Sequence, residues 1–126
     1  MASTAETSVI VVEDHDAVRR SLTLMLRTRG ARVDAYRSGT ELLASGQLPQ
    51  DGCFLIDYRM PGVNGLDLLA RLREKGCRQP AFLLTGDPDP CLKARARVEG
   101  FTALIEKPAE AEELIELVTR ASGLIL

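Results

Sequence analysis

Five short apolar runs, each followed by a polar break and then a stretch with helical spacing, constrain the fold of this chain more than any single motif does. Three runs carry no polar interruption at all: Val9-Ile10-Val11-Val12, Cys53-Phe54-Leu55-Ile56 and Ala81-Phe82-Leu83-Leu84. A strand that is apolar at every position is covered on both faces, as strands of parallel sheets are. Weaker runs over 31–36 and 101–106 complete the set. Between them, Val18, Leu22, Met25 and Leu26 form one helical stripe, Leu66, Leu69 and Leu72 another, and Leu114, Leu117, Val118 and Ala121 the last. Residues 38–43 read as a short helix, and a helix ending near Glu99 has only a thin apolar stripe.

Strand–helix alternation with short links predicts a parallel sheet with right-handed crossovers and helices on both faces. That is an α/β doubly wound five-stranded sheet, flavodoxin-like (βα)5, with strand order 2-1-3-4-5. Asp16 is the expected cap of the first helix, and Gly30 ends it where φ is often positive. Ser38 and Glu41 have capping-box spacing. Residues 46–52 form a loop, and two Asp-Pro pairs start the fourth helix at Pro88 or Pro90. Acidic residues open the last helix, which suits its dipole. The expectation is a single domain over residues 8–122, with a short polar lead and an apolar Gly-Leu-Ile-Leu tail that packs or continues.

A chain of 126 residues buries a real core, and one with 45% hydrophobic and 27% charged residues is ordinary for a globular protein. Aromatics are 4% and Trp is absent, so Leu, Val, Ile and Ala must build the interior. A net charge of −2 argues against direct nucleic-acid binding, and Arg19, Arg20, Arg27 and Arg29 read as a solvated helix face. Cys53, Cys77 and Cys91 have neither CxxC spacing nor an even count, so neither a disulfide framework nor a zinc site is suggested. No apolar stretch reaches the roughly 20 residues of a membrane span, and nothing resembles a signal peptide; the expected compartment is the cytoplasm.

The sheet order determines which side chains meet. The first strand delivers Glu13 and Asp14 to its carboxyl end, the third Asp57, the fourth Thr85 and the fifth Lys107. An isolated Asp57 before Tyr58-Arg59-Met60-Pro61-Gly62 would be read as a strand cap. With strands one and three adjacent, however, all five converge at the switch point. Close carboxylates raise one another's pKa, and a hard divalent cation relieves the repulsion. Lys107 balances Asp57, and Thr85 offers a hydroxyl to a phosphoryl oxygen. Such an Asp is prepared as a nucleophile toward phosphorus.

These motifs resemble the receiver domain of two-component response regulators over about 9–118: the acidic pair Glu13-Asp14, Asp57 with its Met-Pro-Gly turn and Gly65, Thr85, and Lys107-Pro108. The resemblance implies phosphorelay signalling, in which a sensor histidine kinase or histidine phosphotransfer protein donates a phosphoryl group to Asp57. It implies Mg²⁺ or Mn²⁺ held by Asp14, Asp57 and the backbone carbonyl of Arg59, with Glu13 contributing directly or through water. Thr85 and Lys107 then contact the phosphoryl oxygens, and the face of helix 4, strand 5 and helix 5 rearranges to control a partner or output domain. A cis Lys107–Pro108 bond, self-phosphorylation from small donors, and autodephosphorylation influenced by Arg59 and Asp87 belong to the same resemblance. A phosphorylation-dependent homodimer is compatible with it.

The chain departs from the pattern at Leu104, where relatives usually carry an aromatic switch residue, and at Ala109-Glu110 after Lys107-Pro108. These changes bear on output, not on the acceptor. His15, the sole histidine, is expected to be a loop residue near solvent. A flavin or nucleotide site would want a Gly-rich phosphate loop where this chain has Glu13-Asp14-His15-Asp16, and an aspartate-nucleophile phosphatase would want an acid where it has Arg59. Whether the chain stands alone or is the detached receiver domain of a longer DNA-binding transcriptional regulator is left open.

Overall fold

The computed structural model describes residues 8–46 and 48–122. The elements run β1 (Ser8–Val12), α1 (Asp16–Thr28), β2 (Arg32–Tyr36), α2 (Gly39–Leu43), β3 (Cys53–Asp57), α3 (Gly65–Glu74), β4 (Ala81–Thr85), α4 (Pro90–Glu99), β5 (Ala103–Glu106) and α5 (Ala111–Ser122). The strands pair in parallel in the order β2-β1-β3-β4-β5, as expected. The anticipated polar lead and apolar tail lie outside the described residues, as does residue 47 of the 46–52 loop.

Alternation along the strands divides the core between the two faces of the sheet. Ile10, Val12, Phe54, Ile56, Ala81 and Leu83 pack with residues of α2, α3 and α4. Val9, Val11, Cys53, Leu55, Phe82, Leu84 and Ile105 pack with those of α1 and α5. Every residue of β3 and β4 is buried, which accounts for their apolar runs up to the closing Asp57 and Thr85. Burial of one such Leu or Ile stabilises the fold by about 1.5–3 kcal/mol relative to exposure. β2, at the edge, buries only Val33.

Of four expected helix ends, two hold, one is narrowed and one is corrected. Gly30 follows α1 with φ +91°, and Ser38 Oγ accepts from Glu41 N at 3.0 Å, both as anticipated. α4 starts at Pro90, capped by Asp89, whose Oδ1 accepts from Leu92 N at 2.7 Å. α1, however, is capped by His15 and not by Asp16: His15 is in the extended region, and its Nδ1 accepts from Val18 N at 3.4 Å. Asp16 falls one residue inside the helix, where its carboxylate pairs with Arg19 at 2.6 Å. The arginines of α1 and of its C-cap are also more than a solvated face. Arg19 donates to the Glu13 carbonyl, Arg27 donates to the Val33 carbonyl, and Arg29 pairs with Glu112 of α5.

Candidate functional site

Strand register brings the expected residues to one edge. Val12 is level with Ile56, so Glu13 and Asp57 end neighbouring strands side by side. Asp57 is level with Leu84, one residue before Thr85. Thr85 is level with Glu106, one residue before Lys107. Backbone hydrogen bonds carry this register past the strands: Tyr58 N donates to Leu84 O at 2.9 Å, and Lys107 N to Thr85 O at 2.8 Å.

Glu13 and Asp57 are buried, at 0% and 4% exposure, whereas Asp14 is exposed. Carboxylate oxygens of the three lie within 4.8 Å of one another. Lys107 Nζ lies 2.8 Å from Asp57 Oδ1 and 2.7 Å from Glu13 Oε1. The pairing with Asp57 was anticipated; the second one, with Glu13, was not. Glu13 Oε2 accepts from His15 N at 3.0 Å, so the Glu13 carboxylate is turned inward. Although Oε1 is within ion-pair distance of the ammonium, it has no well-directed hydrogen bond. The distance establishes the charge contact.

Burial pushes the Asp57 carboxyl up, to about 7; the Glu13 charge adds to the rise, while Lys107 opposes it. Burial alone would lower the Lys107 ammonium, but its bonds to Asp57 and Glu13 outweigh that and raise it. The cluster therefore holds three carboxylates against one ammonium in a mostly dry corner. Three hard carboxylate donors at this spacing, with one ammonium to balance them, fit a small divalent cation. The Arg59 carbonyl follows Asp57 on the same turn, and no described backbone N–H donates to it.

Gly65 lets α3 come this close. A Cβ there would lie 2.6 Å from the Asp57 carbonyl oxygen and 2.8 Å from Leu83 Cδ1. Gly65 N donates to Tyr58 O at 2.9 Å, and Asn64 Oδ1 caps α3 through Asp67 N at 2.9 Å. The buried hydroxyl oxygen of Thr85 accepts from Asp87 N at 3.1 Å, leaving its proton to donate elsewhere. Exposed Arg59 and Asp87 approach across the mouth at 4.0 Å. Leu104 is half-buried against the α2–α3–α4 core, and the Lys107–Pro108 bond is cis.

The contacts of Arg19 and the Asn64 cap escaped the sequence reading, although the Asp16/Arg19 spacing of three and Asn64 before Gly65 were visible signals. Among the described residues, no helix is long and apolar enough to cross a membrane.

A family model described as the response regulator receiver domain matches residues 9–119. The chain is 35% identical over 115 residues to the transcriptional regulatory protein FixJ of Azorhizobium caulinodans, covering 91% of this chain and 54% of that protein. It is also 35% identical over 114 residues to nodulation protein W of Bradyrhizobium diazoefficiens, covering 90% of this chain and 50% of that one. The chain thus spans about half the length of these curated relatives. Among solved structures, chemotaxis protein CheY4 of Vibrio cholerae matches with a TM-score of 0.84 at 26% identity, covering 93% of this chain and 99% of that one.

Proposed function

We propose, since this chain belongs to the response regulator receiver domain family, that Asp57 accepts a phosphoryl group from the phosphohistidine of a sensor histidine kinase or histidine phosphotransfer protein. Receiver domains are phospho-acceptor switches of phosphorelay signalling, not conventional enzymes. The observation that carries the assignment of Asp57 is its burial beside Glu13 with one oxygen 2.8 Å from Lys107 Nζ. Residues 8–122 constitute the switching unit, and the cytoplasm is its compartment.

In the transfer step, the Asp57 oxygen not paired with Lys107 attacks phosphorus. The new O–P bond forms as the P–N bond breaks, and the electron pair returns to the donor imidazole. Asp14, Asp57 and the Arg59 carbonyl, with Glu13 directly or through water, are the oxygens that would hold Mg²⁺ or Mn²⁺. When bound, that cation neutralises charge on the transferring group. Lys107 exchanges its contact with Asp57 for one with a phosphoryl oxygen, and Glu13 keeps a hold on the ammonium during the exchange. Thr85 donates its hydroxyl proton to another phosphoryl oxygen.

Those new bonds draw the β4–α4 and β5–α5 loops inward and alter the α4–β5–α5 face, which a downstream protein or output domain reads. Leu104 moves with β5 but has no polar tip to anchor either state. Arg59 and Asp87, at the mouth, govern water access during autodephosphorylation. The half-length match to transcriptional regulators supports a second reading, in which the chain is the receiver of a longer DNA-binding regulator; the length of the intact gene product decides that. The transfer itself is tested with a purified phosphotransfer protein carrying radiolabelled phosphohistidine. Label should move to the wild type and not to Asp57→Asn; equal labelling of both overturns the assignment.

A further inference from the structure

We infer that Arg19 is a positioning residue for the divalent-cation site, acting through the backbone of the turn that presents Asp14. The inference rests on the reading of the acidic cluster as a cation site. That turn is fastened on both sides of Asp14. Glu13 N donates to Tyr36 O at 3.0 Å, and His15 N donates to Glu13 Oε2 at 3.0 Å. Arg19 completes the set: Nη1 donates to the Glu13 carbonyl at 3.0 Å and Nη2 to Asp16 Oδ1 at 2.6 Å.

A helical side chain leans toward the N-terminus of its helix, so Arg19, on the first turn of α1, reaches back over the turn it follows. Its planar fork spans two acceptors on either side of Asp14, and only 19% of the side chain is exposed. Asp14, by contrast, is the exposed member of the carboxylate trio. Its place within 4.8 Å of the others depends on the backbone around it.

Position and charge predict opposite signs. A guanidinium near three carboxylates repels an incoming cation, so on charge alone its removal tightens binding. If Arg19 holds the turn, its removal weakens binding. Mg²⁺ titration calorimetry on wild type, Arg19→Met and Arg19→Lys separates the two, with urea unfolding in EDTA run alongside. Arg19→Met should bind Mg²⁺ about tenfold more weakly, the scale seen when groups supporting a ligand are lost. Arg19→Lys keeps the charge but cannot span both acceptors, so it should be weakened as well.

Unchanged or tighter binding by Arg19→Met overturns the inference, as does wild-type affinity in Arg19→Lys. A drop in unfolding midpoint without a change in Mg²⁺ affinity also overturns it. Should Arg19→Met not fold, the charge-retaining variant carries the test alone. Wild type that binds no Mg²⁺ overturns the cation reading itself, whereas wild type that binds alongside variants that match it overturns this inference only.

Discussion

Replacing Asp57 by Asn should stabilise the metal-free protein above neutral pH, although it removes the residue the site is built around. The Asp57 carboxyl moves from an ordinary value of 3.8 to about 7 on folding, chiefly through burial and secondarily through Glu13. The folded state therefore holds a proton that the unfolded chain releases. Stability falls as pH rises from about 4 to about 7, and the loss is complete above that range. At about 1.4 kcal/mol for each pH unit, the ceiling of the penalty is about 4 kcal/mol. Asn keeps the shape and removes the charge, but it also takes a partner from Lys107. A net gain of about 2 kcal/mol is expected at pH 8, or about 8 °C in Tm for a chain of this size. Thermal unfolding of both proteins at pH 4 and pH 8 in EDTA measures it. The two should be close at pH 4 and well separated at pH 8, with the variant higher. Adding Mg²⁺ at a hundred times its Kd should return about 2.7 kcal/mol to the wild type and much less to the variant. An Asn variant less stable than wild type at pH 8 in EDTA would refute the electrostatic reasoning.

Three further outcomes follow from the same geometry. Gly65→Ala forces a methyl group against the Asp57 carbonyl and Leu83, and should cost about 3 kcal/mol in urea unfolding; a loss below about 0.5 would mean that α3 is not tightly seated. Lys107→Met leaves Glu13 and Asp57 buried without their shared cation and should destabilise by about 3 kcal/mol at pH 8 in EDTA, the loss shrinking toward pH 4 as Asp57 protonates; a pH-independent loss would point to packing instead. As a Mg²⁺ ligand Asp57 would have to be ionised, so the apparent Mg²⁺ affinity should rise with pH up to about 7 and level off beyond; calorimetry showing a flat profile from pH 5 to pH 8 would contradict the raised carboxyl.

The fold was legible because its signals were redundant. The unbroken apolar runs within β1, β3 and β4 point to strands covered on both faces, and their alternation with helices over short links points to a parallel sheet. The convergence of Glu13, Asp14, Asp57, Thr85 and Lys107 followed from strand order alone, since each stands at or just past a strand end. What was not legible depends on where a long side chain turns. Arg19, Arg27 and Arg29 have helical-surface spacing, yet each reaches a partner that only the folded chain places nearby. The same holds for Gln79, whose amide donates to Pro49 O at 2.9 Å, some thirty residues earlier in the chain. The α1 cap was misplaced by one residue because both His15 and Asp16 can accept from a helix amide, and the backbone conformation of the turn decides between them.

Phosphorylation of one carboxylate, Asp57, to an acid-stable, alkali-labile acyl phosphate is the claim on which the rest stands. Intact-mass spectrometry after incubation with acetyl phosphate and Mg²⁺ tests it without any protein partner. Wild type should gain a single phosphoryl group that hydroxylamine removes, EDTA should suppress the gain, and Asp57→Asn should gain none. A wild type that stays unmodified, or an Asn variant that is modified equally, would contradict it.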